Sequence, residues 1–175
     1  MIYKKRLKKV IIYTFIIVSL IFVDIYSKHV VVNFISEKES ISVLGNYIKF
    51  TLTYNYGTTF GFLQDSAPHL AISVVKLIFI IVLLLVFLNI SKIIKNSKSQ
   101  IISRICILFI IAGSIANIID RLIYNKVTDF IDIGINGYRW YIFNLADAFQ
   151  FIGGLIFFYL LLVDYIKTKY YSVIK

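Results

Sequence analysis

Nine Asp and Glu occur among 175 residues. Asp24, Asp120 and Asp147, with the cation Lys76, fall within or at the ends of long apolar runs. An isolated charge in such a place is costly and marks either a functional site or an internal pair. Nucleophilic serine or cysteine catalysis needs a base in reach, and no histidine or lysine pattern stands beside Ser or the one cysteine, Cys106. There is no Gly-x-Ser-x-Gly elbow, His-Glu-x-x-His helix or phosphate loop. His29 and His69 lack metal-ligand spacing, so no metal or other cofactor is expected. Paired carboxylates remain. Two Asp side chains placed close together do not both ionise cheaply, so one keeps a proton near neutral pH while the other accepts one from water. That is the arrangement of an aspartic protease. Two carboxylates at a membrane surface can equally bind a cation or relay protons, and composition alone does not separate these readings.

The elements that must position such acids are apolar helices. The chain is 59% hydrophobic with a mean hydropathy of +0.84, a poor basis for a domain with a polar exterior. Four apolar runs, 10–27, 67–90, 101–119 and 142–166, each approach the ~20 residues that cross about 30 Å of hydrocarbon. Segment 41–65 differs. Ile48, Phe50, Leu52 and Tyr54 alternate with Lys49, Thr51, Thr53 and Asn55, as in a half-buried strand, with turn signals at Gly45-Asn46 and Asn55-Tyr56-Gly57. Residues 128–132 precede no apparent helix and read as a loop, although Phe130, Ile131 and Ile133 argue against full exposure. The first run begins basic like a secretory signal, but Asp24 stands where a small-x-small cleavage site would be, so it reads as a retained anchor. With no repeat and no second domain, one integral membrane domain over 1–175 is expected.

The charges orient it. Twelve cations, from Lys4 to Lys9, Lys92 to Arg104 and Lys167 to Lys175, gather on one side with Asp164 alone, whereas the remaining seven share the other side with eight acids. The positive-inside rule then places both termini in the cytoplasm, and accounts for the net charge of +10 without nucleic acid. At 1.5 Å per residue, Asp24 lies about 22 Å above Lys9, Lys76 about 24 Å above Lys92, Asp120 about 24 Å above Arg104 and Asp147 about 30 Å above Lys167. All four spans thus bring an ionisable group to one outer layer, thickened by Asn117 and Asn144. Each has a simpler explanation. Asn144-x-x-Asp147 fits a helix N-cap with an acid in the first turn, Asp120-Arg121 an ion pair closing the third span, and Asp24 with Lys76 a buried pair.

Five short motifs occur in order: Asp24-Ile-Tyr-Ser27-Lys28, Asn55-Tyr-Gly57-Thr-Thr-Phe60-Gly61, Asn117-Ile-Ile-Asp120-Arg121, Val127-Thr-Asp129-Phe130-Ile-Asp132 and Phe143-Asn144-Leu-Ala146-Asp147. Together they resemble the bacterial lipoprotein signal peptidases, signal peptidase II, over residues 24–153. The resemblance implies an all-α membrane protein, a four-transmembrane-helix bundle with a small extracytoplasmic β-rich cradle near Asn55. It implies an aspartyl endopeptidase of the bacterial cytoplasmic membrane, with its site at the outer face. Its partners would be membrane lipids and prolipoproteins cut just before a diacylglyceryl-modified cysteine. By motif match the dyad is Asp129 and Asp147. Asn55, Asn117, Arg121 and Asn144 fall on positions that hold substrate or orient the dyad, Asp24 and Asp120 on structural or supporting positions, and Lys28 and Gly57 within the same motifs. The chain departs from the family pattern at Thr59, usually Ala, and at Ala112, Ser114 and Ala116, which replace a Gly-Gly-Ala-x-Gly pattern before Asn117. Gln150 sits where an apolar residue is common, and no proline precedes Phe143. The alternatives are a catalytically silent lipoprotein-binding relative and a small ion or proton translocator.

Overall fold

The computed structural model describes residues 2–57 and 69–174. The elements run α1 (Ile2–Phe34), β1 (Ser40–Leu44), β2 (Ile48–Asn55), α2 (His69–Ile93), α3 (Ser97–Tyr124), β3 (Val127–Ile135), β4 (Tyr138–Arg139) and α4 (Leu145–Ile174). The strands form one antiparallel sheet in the order β1-β2-β3-β4. Thr59 and the rest of its motif after Gly57 lie outside the described residues, as does the remainder of the expected β-rich segment up to residue 65.

Each helix is longer than the apolar run that announces it, because basic and polar residues at the run ends still favour helix once the middle is in place. All four are long and apolar enough to cross a membrane. Large apolar side chains point outward along them, among them Phe15 at 71% exposed, Leu88 at 70% and Phe158 at 67%. Lipid, not water, suits such a surface, and the chain is a multi-pass membrane protein. The central helix is α3: 61% of its most apolar stretch is enclosed, against 22% or less in the others.

Small residues let the other helices close on α3. A Cβ at Gly113 would run into the Ala146 carbonyl of α4, and one at Gly153 would come within 2.7 Å of the Cys106 carbonyl. Ala112 and Ala116 are both fully buried, so the methyl groups that depart from the family's glycines are accommodated without opening the seam. Away from the sheet the interior is apolar. Ile80, Leu83, Ile90, Ile94, Ile107, Ile110 and Ile111 form one apolar cluster between α2 and α3. At that end Asp164 of α4 accepts the Lys95 amide at 3.0 Å and the Asn96 amide at 3.4 Å, fastening the turn between α2 and α3. Asn96 also caps α3 by accepting the Ser99 amide at 3.0 Å.

The stretch around Gly45-Asn46 is a hairpin, with Gly45 at φ +50° in the turn. Leu52 of β2 and Phe130 of β3 are buried on Val31 of α1 and on Ile35 just after it, with Phe50 and Tyr54 packed beside them. The expected alternation in β2 thus lays its apolar side on the helix bundle. The loop expected at 128–132 is instead the middle of β3, the longest strand. Asp129 and Asp132 hide this strand in the sequence, since Asp disfavours strands where it cannot be paired. Here both are paired. Asp132 takes the Arg139 guanidinium at 2.7 Å and the Thr51 hydroxyl at 3.0 Å, so it is a clasp across β2, β3 and the β4 hairpin.

Candidate active site

The site is assembled at the sheet end of the bundle from α1, β2, α3, β3 and α4. Its base is Lys28. On α1, Asp24 and Lys28 are one turn apart and share a face. The ammonium lies 2.7 Å from Asp24 Oδ2 and 3.0 Å from Asp120 Oδ2, and donates to Asn117 Oδ1 at 3.0 Å. Two carboxylates and one amide oxygen thus surround the ammonium, which is what a buried lysine needs. Both expected pairings are corrected here. Asp24 pairs with Lys28, not Lys76, because the lysine one turn on along α1 brings its ammonium directly to the carboxylate. Asp120 likewise pairs with Lys28 and not with Arg121, because neighbouring residues on a helix point about 100° apart. Arg121 instead donates to the carbonyls of Asn117 and Gly57, at 3.2 and 2.5 Å, so it ties the end of β2 to α3. Among the described residues its buried Nε has no acceptor.

Two amide N–H groups at the start of α4 are claimed by side chains. Asp24 Oδ1 accepts from Ala146 at 2.7 Å and Asn144 Oδ1 from Asp147 at 2.9 Å. The N-cap explanation of Asn144 is therefore right but incomplete. Its amide Nδ2 also donates to Asp129 Oδ1 at 2.6 Å, with the Asn117 oxygen and the Thr128 carbonyl at 3.2 and 3.3 Å. One side chain thereby links the helix carrying Asp147 to the strand carrying Asp129.

The two acids receive matching treatment. Asp129 Oδ2 accepts from Asn55 at 3.1 Å, and Asp147 Oδ1 accepts from Asn117 at 2.9 Å. Gly57 is placed by its own amide, which donates to Asn55 Oδ1 at 2.9 Å and so aims the Asn55 NH2 at Asp129. Asp120 Oδ2 accepts the Thr128 amide at 3.2 Å, which steadies the strand next to Asp129. Asp129 and Asp147 line one cavity of about 920 Å³, which also exposes Trp140, Phe143, Gln150 and Phe151. Burial, and then the charge of Asp147, push the Asp129 carboxyl up to about 7 against the pull of the Asn55 and Asn144 amides. Two acids that resist joint ionisation and face a common cavity can share one proton across a water.

The sequence model of Signal peptidase (SPase) II matches residues 16–163. The chain belongs to the signal peptidase II family. It is 34% identical to the lipoprotein signal peptidase of Alteromonas mediterranea over 150 residues, covering 83% of this chain and 75% of that protein. To that of Buchnera aphidicola from Acyrthosiphon pisum it is 36% identical, over 88% of this chain and 92% of the other. That of Staphylococcus haemolyticus is 30% identical, with 84% and 88% covered. Two solved structures of bacterial membrane enzymes, obtained by the in meso method, superpose with TM-scores of 0.75 and 0.73 at 27% identity. They cover 87% of this chain, and 88% and 93% of theirs. As a family member the chain is a membrane peptidase.

Every described residue expected at the site lies in or around this network. Motif reasoning did not reach Gln150 as part of it. Its amide approaches Asp147 Oδ1 at 3.4 Å, and the available signal was its place three residues after Asp147, on the same face of α4.

Proposed function

We propose that this protein is an aspartyl endopeptidase that removes signal peptides from prolipoproteins by cleaving before a diacylglyceryl-modified cysteine, with Asp129 and Asp147 as the catalytic pair. The observation that carries the assignment is the pair itself: a buried acid on β3 and a half-buried acid on α4, bridged by Asn144, on one cavity. The dyad holds a water. One carboxylate takes a proton from it as its oxygen attacks the carbonyl before the cysteine, and the other, protonated, donates to the carbonyl oxygen. Collapse of the tetrahedral intermediate breaks the C–N bond as a proton passes to the leaving nitrogen. The products are a signal peptide ending in a carboxylate and a lipidated cysteine with a free amine. Arg121 and the amides of Asn55 and Asn117 supply hydrogen bonds that hold substrate carbonyls in line.

We place the helices and sheet, as a single unit, in the bacterial cytoplasmic membrane, with both termini inside and the dyad at the outer face. The twelve-to-one cation bias supports this. Reporter fusions after Ser97 and after Lys175 should be active only as cytoplasmic reporters, and fusions at Glu39 or Asn136 only as extracytoplasmic ones. An inverted pair would remove the proposed location.

A lipid anchor fixes the height of the scissile bond at the membrane surface and confines the search to two dimensions. In a gel-shift assay with purified protein, a prolipoprotein carrying its diacylglyceryl group should be cut at least ~10-fold faster than the unlipidated precursor. Equal rates would show that lipid is not part of recognition, and no cleavage of either form would favour a silent relative.

A further inference from the structure

Two departures from the family pattern, Ser114 on α3 and Gln150 on α4, meet in space. The Ser114 hydroxyl, 1% exposed, donates to Gln150 Oε1 at 3.0 Å. On the other side of the same amide, Nε2 lies 3.2 Å from the Ala146 carbonyl and 3.4 Å from Asp147 Oδ1. The Ala146 carbonyl can only accept, whereas a hydroxyl can donate. The amide therefore has one consistent orientation, with NH2 toward Ala146 and Asp147. Gly113 makes the approach possible, since a Cβ there would run into the Ala146 carbonyl and come within 2.9 Å of Gln150 Cγ.

Either polar residue alone would be a burden at a helix seam in a membrane, because a buried hydroxyl or amide without a partner loses its hydration and gains nothing. Together they satisfy each other and direct one N–H at a catalytic acid. Resting on the dyad assignment above, we propose that Gln150, held by Ser114, is a positioning residue that joins Asn117 in donating to Asp147 Oδ1. Two amides on this one oxygen keep it as an acceptor and leave Oδ2 for the water and the shared proton. A hydrogen bond to a charged carboxylate favours the charged form, so the acidic limb of the activity profile is where the Gln150 amide is read.

The other charges that bear on Asp147 are Asp129 from β3, Lys76 from α2 and Arg121 from α3. Lys28 of α1 acts on Asp129, while Asp24 and Asp120 are occupied by Lys28. Gln150→Leu changes none of these charges. Its effect on a pH profile therefore reads the amide.

The test is the pH dependence of cleavage of a lipidated precursor by purified protein. Gln150→Leu should move the acidic limb up by about 0.5 pH unit and lower the plateau rate a few-fold. Ser114→Ala, which leaves the Gln150 amide unanchored, should move the same limb by a smaller amount. The double variant should match Gln150→Leu, since both act through one hydrogen bond. Should Gln150→Leu fold poorly, Ser114→Ala carries the test, alanine being the residue usual there. A limb that stays in place in both variants, whatever happens to rate or stability, would overturn the proposal. Asp147→Asn is the control on the reading beneath it. An active Asp147→Asn protein sinks the dyad, whereas an inactive one beside an unmoved limb sinks only the role of Gln150.

Discussion

Asp129→Asn and Asp147→Asn should each lower the cleavage rate by at least ~10²-fold, the low end of what a positioned acid or base contributes. The double variant should lose little more, because residues that act as a unit are not additive. Asn keeps the shape of each side chain and one acceptor and removes the shared proton, at the cost, at position 129, of one of the two amide hydrogen bonds from Asn55 and Asn144. Stability separates this from a scaffolding role. The Asp129 carboxyl sits at about 7 in the fold, above its ordinary 3.8. The contribution of this group to stability is thus full below about pH 4 and is lost as pH rises through about 7. Asn imitates the protonated acid. The Asp129→Asn protein should therefore gain stability relative to the parent as pH rises from about 4 through 7 in detergent. Thermal unfolding at the two pH values checks the sign. A loss of stability at both, with activity retained, would make Asp129 a structural residue.

Lys28→Met should produce the largest loss of stability of any single substitution at the site. The ammonium is the common partner of Asp24 and Asp120, both buried, and methionine fills most of its volume without its charge. Removing one partner of a buried pair costs about 3–5 kcal/mol, since the carboxylate left behind has neither water nor a cation. The damage should spread to activity, because Lys28 also donates to Asn117, which in turn holds Asp147. Adding Asp24→Asn should recover part of the stability, as it removes one stranded charge, although Asp24 Oδ1 also accepts the Ala146 amide at the start of α4. Thermal unfolding of the parent, the single variant and the double variant would measure this coupling. Strict additivity would place the stabilising interaction elsewhere.

Much of this is legible in the sequence because periodicity and charge act locally. The length of each apolar run announces its helix, the alternation from Ile48 to Asn55 announces β2, and the distribution of Lys and Arg points to an orientation. Helical spacing places Asp24 with Lys28, and Asn144 with Asp147 and Gln150, on common faces. The five motifs point to the acids, and all five lie within residues 16–163 that the family model matches. Pairing between elements is another matter. The hydrogen bond from Ala146 to Asp24 spans 122 residues and that from Asn55 to Asp129 spans 74. No local period contains such information. Whether Asp24 met Lys28 or Lys76, whether residues 127–135 formed a strand or a loop, and whether Ser114 reached Gln150 were decided by how closely α4 approaches α3 over Gly113 and how β3 registers against β2. A charge in an apolar interior must find its partner wherever packing brings one within about 3 Å. The sequence by itself determined which faces are polar, and the tertiary structure decided which of them touch.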